Sequence, residues 1–499
     1  MMDKSMMDKS ITAERELVPA ASRQSKPAFA SELVNDIHSQ LNRTTIKQRF
    51  TPESAEEIAE KIKQAQRSGD FISTACGRHA MGGQQFLTQG FLLDMTRMNR
   101  VIKFDTENGL VEAEAGIFWP DLIDSIKEIQ RNLPNTQARP WVIAQKQTGG
   151  DRLSLGGALS ANIHGRGLRK APFVQDIEQF TLITAGGEIK TCSRTENSHL
   201  FKLAVGGYGL FGVVSSLTLR LIPQTTLRRS VTVCHARELM PLLQQRIRGG
   251  ATYGDFQFAI DSTSADFLQR GILSTYAPTE GKPLAGEDDG AGKKLLSVED
   301  WRRLLFLAHT DKTAAFRGYA DHYLATDGQL YSSDTFQLAT YIDGYHEAID
   351  KHTRSKGSEM ISELYVPRDC LTQFLKEAAP MLRRQEANVI YGTVRLIDQD
   401  NETFLRWAKQ SWACIIFNLH FEHSASGVAK AGRSFRSLID LAIKFGGSYY
   451  LTYHRFAEKA QLLACYPEMP EFIARKRELD PHGLFRSDWF DHYAAMFQS

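Results

Sequence analysis

A histidine stands among small residues in the segment "CGRHAMGGQ", residues 76–84. The segment directly follows the apolar run "FISTA", and His79 is its one imidazole. An imidazole can bind zinc, act as a catalytic base, or bond covalently to a group that lies against the backbone. The residues of this segment leave all three alternatives open.

Two more glycine-rich segments follow, "LSLGGALSANIHGRG" (153–167), which contains His164, and "VGGYGLFG" (205–212). Clustered glycines let a backbone approach a ligand closely, and consecutive free N–H groups there can bind a pyrophosphate. Three such segments in one region, two of them with a histidine, indicate a long cofactor that runs across the fold.

Other ligand-binding and catalytic motifs fail on their context. The segment "GYGLFG" (207–212) matches GxGxxG, but a helix is predicted before it and a strand after it, the reverse of a dinucleotide-binding turn. The segment "GAGKK" (290–294) lacks the first glycine of a P-loop and the Ser or Thr after its lysine. No HExxH or GxSxG is found, which argues against zinc proteases and serine hydrolases.

The composition is that of an ordinary soluble protein, with 499 residues of which 42% are hydrophobic and 24% charged. A net charge of +2 gives no sign of nucleic-acid binding. No apolar run approaches the ~20 residues of a membrane span, and "MMDKSMMDKS" does not resemble a signal peptide, so we expect a cytoplasmic protein. Six cysteines without a CxxC pair argue against disulfides and structural zinc.

The elements that must position these segments are short and well punctuated. Thr51 and Gly69 are predicted to bound an amphipathic helix, and Asn108–Gly109 a hairpin turn. The polar stretch 277–294 is predicted as a surface loop. Further strands are predicted at "FISTACG", "FTLITAGGEIKTCS" (two strands), "VVSSLTLRLIP", "NVIYGTVRLI", "ACIIFNLHF" and "SYYLTYH", and helices after Trp119, at "SHLFKLAV" and before Asp480–Pro481.

Together with "GLVEAEAGIFWPDLI" and "ELDPHGLFRSDWF", the three glycine-rich segments resemble, in order, the flavoproteins of the vanillyl-alcohol oxidase family with a PCMH-type FAD-binding domain. The resemblance is closest to the branch of alditol, aldonolactone and decaprenylphosphoryl-ribose oxidases. It implies an α+β fold with a two-subdomain FAD-binding domain and a substrate domain built on a mixed or antiparallel sheet. The implied divisions are a partly disordered lead-in (1–43), the FAD domain (44–225), the substrate domain (226–470) and a segment that returns to the FAD domain (471–499).

The resemblance also implies the cofactor and its contacts. His79 falls where covalent members attach the 8α-methyl of FAD, although Ala80 stands where the family usually has serine, and Arg78 is less common there. The second segment has no cysteine, so we expect no second covalent link. The positions implied to contact FAD are Gly77, Arg78, His79, Ala80, Met81, Gly82, Gln84, Ser154, Gly156, Gly157, Ser160, Asn162, His164, Gly165, Gly207, Gly209, Gly212, Val213, Val214 and Arg486.

The substrate side must supply a group that takes the hydroxyl proton while hydride passes to flavin N5. The resemblance assigns this side to Arg395 in "TVRLI" and His420 in "FNLHF", and strand alternation puts Asn418 on the same face as His420. Tyr453 stands where related enzymes have a lysine, so Tyr453 or His454 remains a candidate for its role.

The implied function is FAD-dependent oxidation of a CH–OH group of a small molecule such as a sugar, polyol or lactone. Dioxygen or another acceptor would reoxidise the flavin, and no metal is expected. Two alternatives stay open: a dehydrogenase or reductase that does not use oxygen, and a non-catalytic flavin- or ligand-binding protein, which the missing lysine favours. The sequence does not define the oligomeric state.

Overall fold

The structure, a computed structural model, describes residues 31–132, 140–280, 294–340, 342 and 344–498. Within these residues the strands are β1 Glu32–Val34, β2 Thr44–Ile46, β3 Gln48–Phe50, β4 Ile72–Ala75, β5 Phe91–Asp94, β6 Val101–Asp105, β7 Leu110–Glu114, β8 Trp141–Val142, β9 Ile177–Ile183, β10 Ile189–Ser193, β11 Val213–Arg220, β12 Ile222–Pro223, β13 Thr226–His235, β14 Tyr253–Phe258, β15 Arg270–Thr279, β16 Leu330–Ser332, β17 Gly357–Pro367, β18 Asn388–Ile397, β19 Trp412–Glu422 and β20 Ser448–Tyr449. The α-helices are α1 Ala55–Ser68, α2 Trp119–Arg131, α3 Leu155–Ala161, α4 Ser198–Ala204, α5 Ala236–Arg248, α6 Val298–Thr310, α7 Lys312–Ala325, α8 His346–Thr353, α9 Leu371–Arg384, α10 Ala425–Lys444, α11 Lys459–Cys465, α12 Met469–Leu479 and α13 Asp488–Ala495.

The α+β class is confirmed, and most of the predicted elements are present. Helix α1 ends at Gly69 as predicted, in the left-handed region with φ 69°. It begins at Ala55 instead of near Thr51, because the Ser54 hydroxyl accepts the N–H of Glu57 and so caps the helix. Most of the predicted loop at 277–294 lies outside the described residues, while 277–279 extend β15.

The N-terminal half contains two sheets. A parallel sheet has the order β3-β5-β4 and packs against α1. An antiparallel sheet has the order β10-β9-β11-β7-β6, with α2, α3 and α4 packed in its core. The glycine-rich segments lie at the ends of these elements: the first follows β4, the second leads into and out of α3, and the third joins α4 to β11.

The second half is built on an eight-stranded antiparallel sheet with the order β16-β13-β15-β14-β18-β19-β17-β20. Its two faces differ, because successive residues of a strand point to opposite sides. One face, with Leu364, Val394 and Phe417, packs against α5, α9 and α10 in the largest apolar core. The other face carries buried polar residues such as Glu363 and Arg395, and α7 packs on one end of it.

The strand predicted at "SYYLTYH" is much shorter in the structure, because β20 ends at Tyr449. The carbonyls of Leu451 and Thr452 bond to side chains instead of a neighbouring strand. Gln84 Nε2 reaches both, at 3.3 and 2.9 Å, and Trp489 Nε1 reaches Leu451 at 3.2 Å. The turn after β20 is thereby held to the first glycine-rich segment.

Both ends of the described chain join the N-terminal half. The β1 strand pairs with β2, so the folded chain begins before residue 44, within the predicted lead-in. At the other end, Phe485 forms a parallel bridge with Ile72 of β4. No helix in the described ranges is long and apolar enough to cross a lipid bilayer.

Candidate active site

The three glycine-rich segments meet in space. We call residues 76–84 the first loop, 149–165 the second loop and 205–214 the third loop. A Cβ at Gly77 would lie 2.5 Å from the carbonyl oxygen of Arg152, so only glycine allows the first loop to approach the second this closely. The third loop binds the second through backbone bonds of 3.0 Å from Tyr208 N–H to Ser160 and from Gly206 N–H to Leu159. Nearly all the sequence-predicted cofactor positions lie in these joined loops.

The first loop offers buried groups that a cofactor can satisfy. Within the described part of the chain, the N–H groups of Ala80, Met81 and Gly82 have no hydrogen-bond acceptor, and Met81 and Gly82 are buried. The side-chain oxygens of Gln84 and Gln85 are also buried without a partner. Buried N–H groups without an acceptor are costly, and consecutive ones form a site for anionic or carbonyl oxygens. These groups fit the phosphates and the ring edge of FAD.

His79 lies at the side of the first loop that faces His38. Its Nδ1 is 2.8 Å from Nε2 of His38, and the ring also hydrogen-bonds the backbone of Arg152. Burial, followed by the neighbouring His38, lowers the pKa of His79 to about 3, so its imidazole is neutral. Within the described ranges His79 belongs to no group of side chains that could hold a metal. A catalytic base and an attachment point remain as its alternatives.

The second loop reaches the eight-stranded sheet through His164. Its Nε2 lies 2.7 Å from Oε1 of Glu363 on β17, and its Nδ1 lies 2.9 Å from the carbonyl oxygen of Gly165. Both ring nitrogens thus lie within hydrogen-bond distance of an oxygen, and the contact with Glu363 ties the second loop to β17. Burial alone would raise the pKa of Glu363, but His164 and hydrogen bonds hold it below its usual value.

Two tyrosines and a cysteine surround the Glu363 carboxylate. Tyr365 donates a 2.5 Å hydrogen bond to Oε1. Burial, and then the charge of Glu363, raises the pKa of Tyr453 well above its usual value, so both phenols stay neutral. The Cys414 thiol lies 3.9 Å from Nε2 of His164, and burial raises its pKa as well. Glu363 is thus a charged acceptor among neutral donors.

Four buried polar atoms next to this pair have no hydrogen-bond partner in the described residues. They are Glu363 Oε2, Thr393 Oγ1, Arg395 Nε and Asn418 Oδ1. Strand pairing puts all four residues on one face: Thr393 and Glu363 both flank Ile416, and Arg395 lies opposite Cys414. An unsatisfied buried polar atom costs about 1–3 kcal/mol. We call this set the Glu363 face, and its free donors and acceptors suit a ligand rich in hydroxyl and carbonyl groups.

The other predicted substrate-side residues lie in different places. Asn418 and His420 share one face of β19 as expected, but His420 lies beside Glu359, four residues before Glu363 on β17. His454, expected on the substrate side, lies elsewhere. It contacts Ser362 at 3.2 Å, on the opposite face of β17 from Glu363, and stacks on Phe435. Burial lowers the pKa of His454 to about 3.

Arg486 is a second correction. Its guanidinium binds Asp491 at 3.0 and 2.9 Å and lies over the ring of Phe71, and its N–H donates to Ile72. These contacts fasten the C-terminal segment to β4, and among the described residues no hydrogen bond joins Arg486 to the glycine-rich loops. Val213 likewise has its side chain in the apolar core, so only its backbone is available to a cofactor.

Sequence reasoning missed Glu363, Tyr365 and Cys414. A signal for Glu363 was present in the sequence. Glu359 and Glu363 fall on the same face of the mostly apolar strand "GSEMISELYVP", and a buried strand rarely carries two carboxylates unless they have polar partners. Lys146 was also missed. It is fully buried and binds Asp151 at 2.9 Å, which neutralises it and holds the start of the second loop.

Comparisons with known proteins find matches in both halves of the chain. Residues 46–193 match the family described as "FAD binding domain", and residues 345–493 match "D-arabinono-1,4-lactone oxidase". The L-gulonolactone oxidase of Bos taurus is 29% identical over 199 residues, which cover 40% of this chain and 42% of that protein. The L-gulono-1,4-lactone dehydrogenase of Mycobacterium tuberculosis is 23% identical over 88% of this chain and 94% of its own length.

A third relative is the decaprenylphosphoryl-beta-D-ribose oxidase of Mycolicibacterium smegmatis, 23% identical over 80% of this chain and 84% of its own length. All three relatives carry the names of oxidases or dehydrogenases, which supports the enzymatic alternative over a non-catalytic binding protein. The two family matches lie in the two halves that contribute His164 and Glu363. Both halves of the chain are therefore similar to FAD-dependent oxidoreductases, in the branch of the aldonolactone and decaprenylphosphoryl-ribose enzymes, and residues 46–193 match an FAD-binding domain.

Proposed function

We propose that this enzyme oxidises a CH–OH group of a sugar-derived lactone that binds against the Glu363 face. The observation that carries the proposal is the set of four unpartnered buried polar atoms on that face, beside the His164 contact between the two halves. The unpartnered oxygens of Thr393 and Asn418 suit the vicinal hydroxyls of an aldonolactone, and the Nε donor of Arg395 suits its carbonyl oxygen. The names of the relatives and the match of residues 345–493 support the same substrate class.

Each residue of the face has a part in this scheme. Arg395 is fixed by its hydrogen bond to Thr148, and its free Nε donates to the lactone oxygen. Thr393 and Asn418 bind substrate hydroxyls. Glu363 Oε2 accepts the proton of the reacting hydroxyl, and His164 and Tyr365 stabilise the carboxylate through its other oxygen. FAD, when bound, supplies the hydride acceptor and passes the electrons to dioxygen or another acceptor.

Glu363 also accounts for the missing lysine. Tyr453 lies beside Glu363, and its raised pKa keeps it a neutral donor, unsuited to remove a proton. A neighbouring carboxylate with a lowered pKa is ionised at neutral pH and can do so. Proton uptake in this chain therefore falls to a carboxylate, while Tyr453 donates a hydrogen bond to the substrate.

The first test is anaerobic reduction of the purified yellow enzyme, followed by the loss of oxidised-flavin absorbance. L-gulono-1,4-lactone and D-arabinono-1,4-lactone are compared with a polyol and with the open-chain aldonate. We expect the lactones to reduce the flavin fastest, and Arg395→Gln to slow reduction while exposed Arg477→Gln does not. Faster reduction by the polyol would refute the lactone assignment. Addition of air to the reduced enzyme then separates an oxidase, which reoxidises quickly, from a dehydrogenase.

We further propose that FAD is covalently attached to His79. The neutral imidazole supports this, because only an unprotonated ring nitrogen can bond the methyl carbon of the flavin, and the lowered pKa of His79 favours that state. Acid precipitation of the enzyme is the test. Yellow colour should stay in the pellet for the wild type and move to the supernatant for His79→Ala, while His199→Ala, a substitution outside the loops, keeps it in the pellet. Wild-type colour in the supernatant would refute the link.

A further inference from the structure

A second polar centre lies on the same face of the sheet, around Glu359. His420 Nδ1 and His309 Nε2 approach Oε1 of Glu359 at 3.1 and 3.3 Å, and His346 Nε2 approaches Oε2 at 2.8 Å. Tyr345 donates a hydrogen bond to Oε2. We call these three histidines and Glu359 the Glu359 cluster. Neither the glycine-rich loops nor the Glu363 face includes it.

The cluster has the dimensions of a metal site. The ligand atoms of His309, Glu359 and His420 all lie within 4.8 Å of one another. Ligands about 2.0–2.2 Å from a tetrahedral zinc ion are roughly 3.3–3.6 Å apart, so small side-chain movements would bring these atoms into place. Room for one of the rings is built into the backbone, because a Cβ at Gly357 would lie 2.5 Å from the ring of His420.

Hydrogen bonding within the cluster leaves part of it unsatisfied. The side chain of His309 is only 2% exposed, yet neither ring nitrogen has a hydrogen bond of good geometry, and Nδ1 of His346 also lacks one. The side chain of Glu359 is itself only 6% exposed. A buried carboxylate therefore stands among imidazoles with free nitrogens, an arrangement that a cation completes.

We propose that His309, Glu359 and His420 bind a divalent transition-metal ion of the zinc type, and that His346, 2.8 Å from the other Glu359 oxygen, moves to supply the third nitrogen ligand. The donor set of imidazoles and one carboxylate suits Zn²⁺ and its neighbours and is poor for Mg²⁺ or Ca²⁺. The site joins α6 and α8 to strands β17 and β19, so the ion fastens the helices to the sheet. It does not depend on the substrate proposed above.

The test measures metal in the purified full-length enzyme. We expect about one zinc-type ion per chain after extensive dialysis without chelator, and, after stripping and addition of Co²⁺, tetrahedral Co²⁺ absorption at wavelengths beyond the flavin bands. His346→Gln and Glu359→Gln should lower Zn²⁺ affinity at least tenfold, whereas His352→Gln, exposed on the same helix, should not. Chelation should lower the melting temperature of the wild type and leave that of Glu359→Gln unchanged.

Several outcomes would overturn the proposal. Absence of metal from the purified enzyme, together with no binding of added Zn²⁺ or Co²⁺, would show a hydrogen-bonded cluster only. Binding that Glu359→Gln and His346→Gln leave intact, but Glu363→Gln removes, would place the ion at His164, Glu363 and Cys414, which also lie within metal-ligand distances. If the cluster variants fail to fold, the wild-type metal content and Co²⁺ spectrum decide the question alone.

Discussion

Replacing Glu363 by glutamine tests the central pair of the site. The substitution keeps the shape of the side chain but removes its charge, and it leaves His164 Nε2 facing an amide. The lost contact is a buried, charge-assisted hydrogen bond of 2.7 Å. Hydrogen bonds to charged groups contribute about 1.5–3 kcal/mol, so we expect Glu363→Gln to lower the free energy of unfolding of this region by that amount. Denaturation followed by tryptophan fluorescence reports it, because Trp407 lies 5.5 Å from His164.

The pH dependence of this loss is more specific than its size. Glu363 has a pKa below its usual value of 4.5 in the folded protein. A carboxyl with a lowered folded pKa contributes stability that is fully present above the unfolded pKa and is lost as pH falls through the folded one. The wild type should therefore exceed Glu363→Gln in stability above about pH 4.5, and the difference should shrink in more acidic solution. A difference that stays constant through that window would refute the charged pair.

The same variant tests the catalytic assignment separately. A general base contributes about 10²–10⁴-fold, so the rate constant of flavin reduction at saturating lactone should fall by that factor, with a smaller change in KM. Glu422→Gln, exposed at the end of β19, serves as the matched control. Reduction at the wild-type rate would remove Glu363 from proton uptake, whatever its effect on stability.

Three further substitutions test other contacts. Gly77→Ala should lower the free energy of unfolding by about 1–3 kcal/mol and reduce the flavin content, because its Cβ would lie 2.5 Å from a carbonyl oxygen of the second loop. Gly186→Ala, where the nearest atom is 3.7 Å from the added Cβ, should change neither, and equal flavin content in both variants would contradict the close approach. Arg395→Lys should raise the KM for lactone more than it lowers kcat, since it loses the Nε donor; an unchanged KM in steady-state kinetics would argue against that contact. Asp480→Asn should cost about 3–5 kcal/mol, because it leaves the buried Lys476 unpaired, and an unchanged melting curve would refute this.

Local sequence signals predicted the FAD half well. The glycine-rich loops lie where strands and helices end. Such ends can be predicted from local residues alone, as Gly69 after α1 and the Gly186–Gly187 turn between β9 and β10 also show. The first of these loops meets the second because Gly77 lacks a side chain, which the sequence also shows. What it could not show is that His38, from the predicted lead-in, lies against His79.

The second half of the chain was harder to predict, because its candidate site depends on pairing between distant strands. Alternation along β19 correctly put Asn418 and His420 on one face, yet alternation says nothing about the position along the neighbouring strand. The register places His420 opposite Glu359, whereas Ile416 lies opposite Glu363 and Thr393 lies on the other side of Ile416. One polar face therefore contains two centres, four residues apart on β17. The carboxylate of Glu363 contacts His164 of the N-terminal half and is the proposed proton acceptor, while that of Glu359 contacts histidines on helices that no local pattern connects to it.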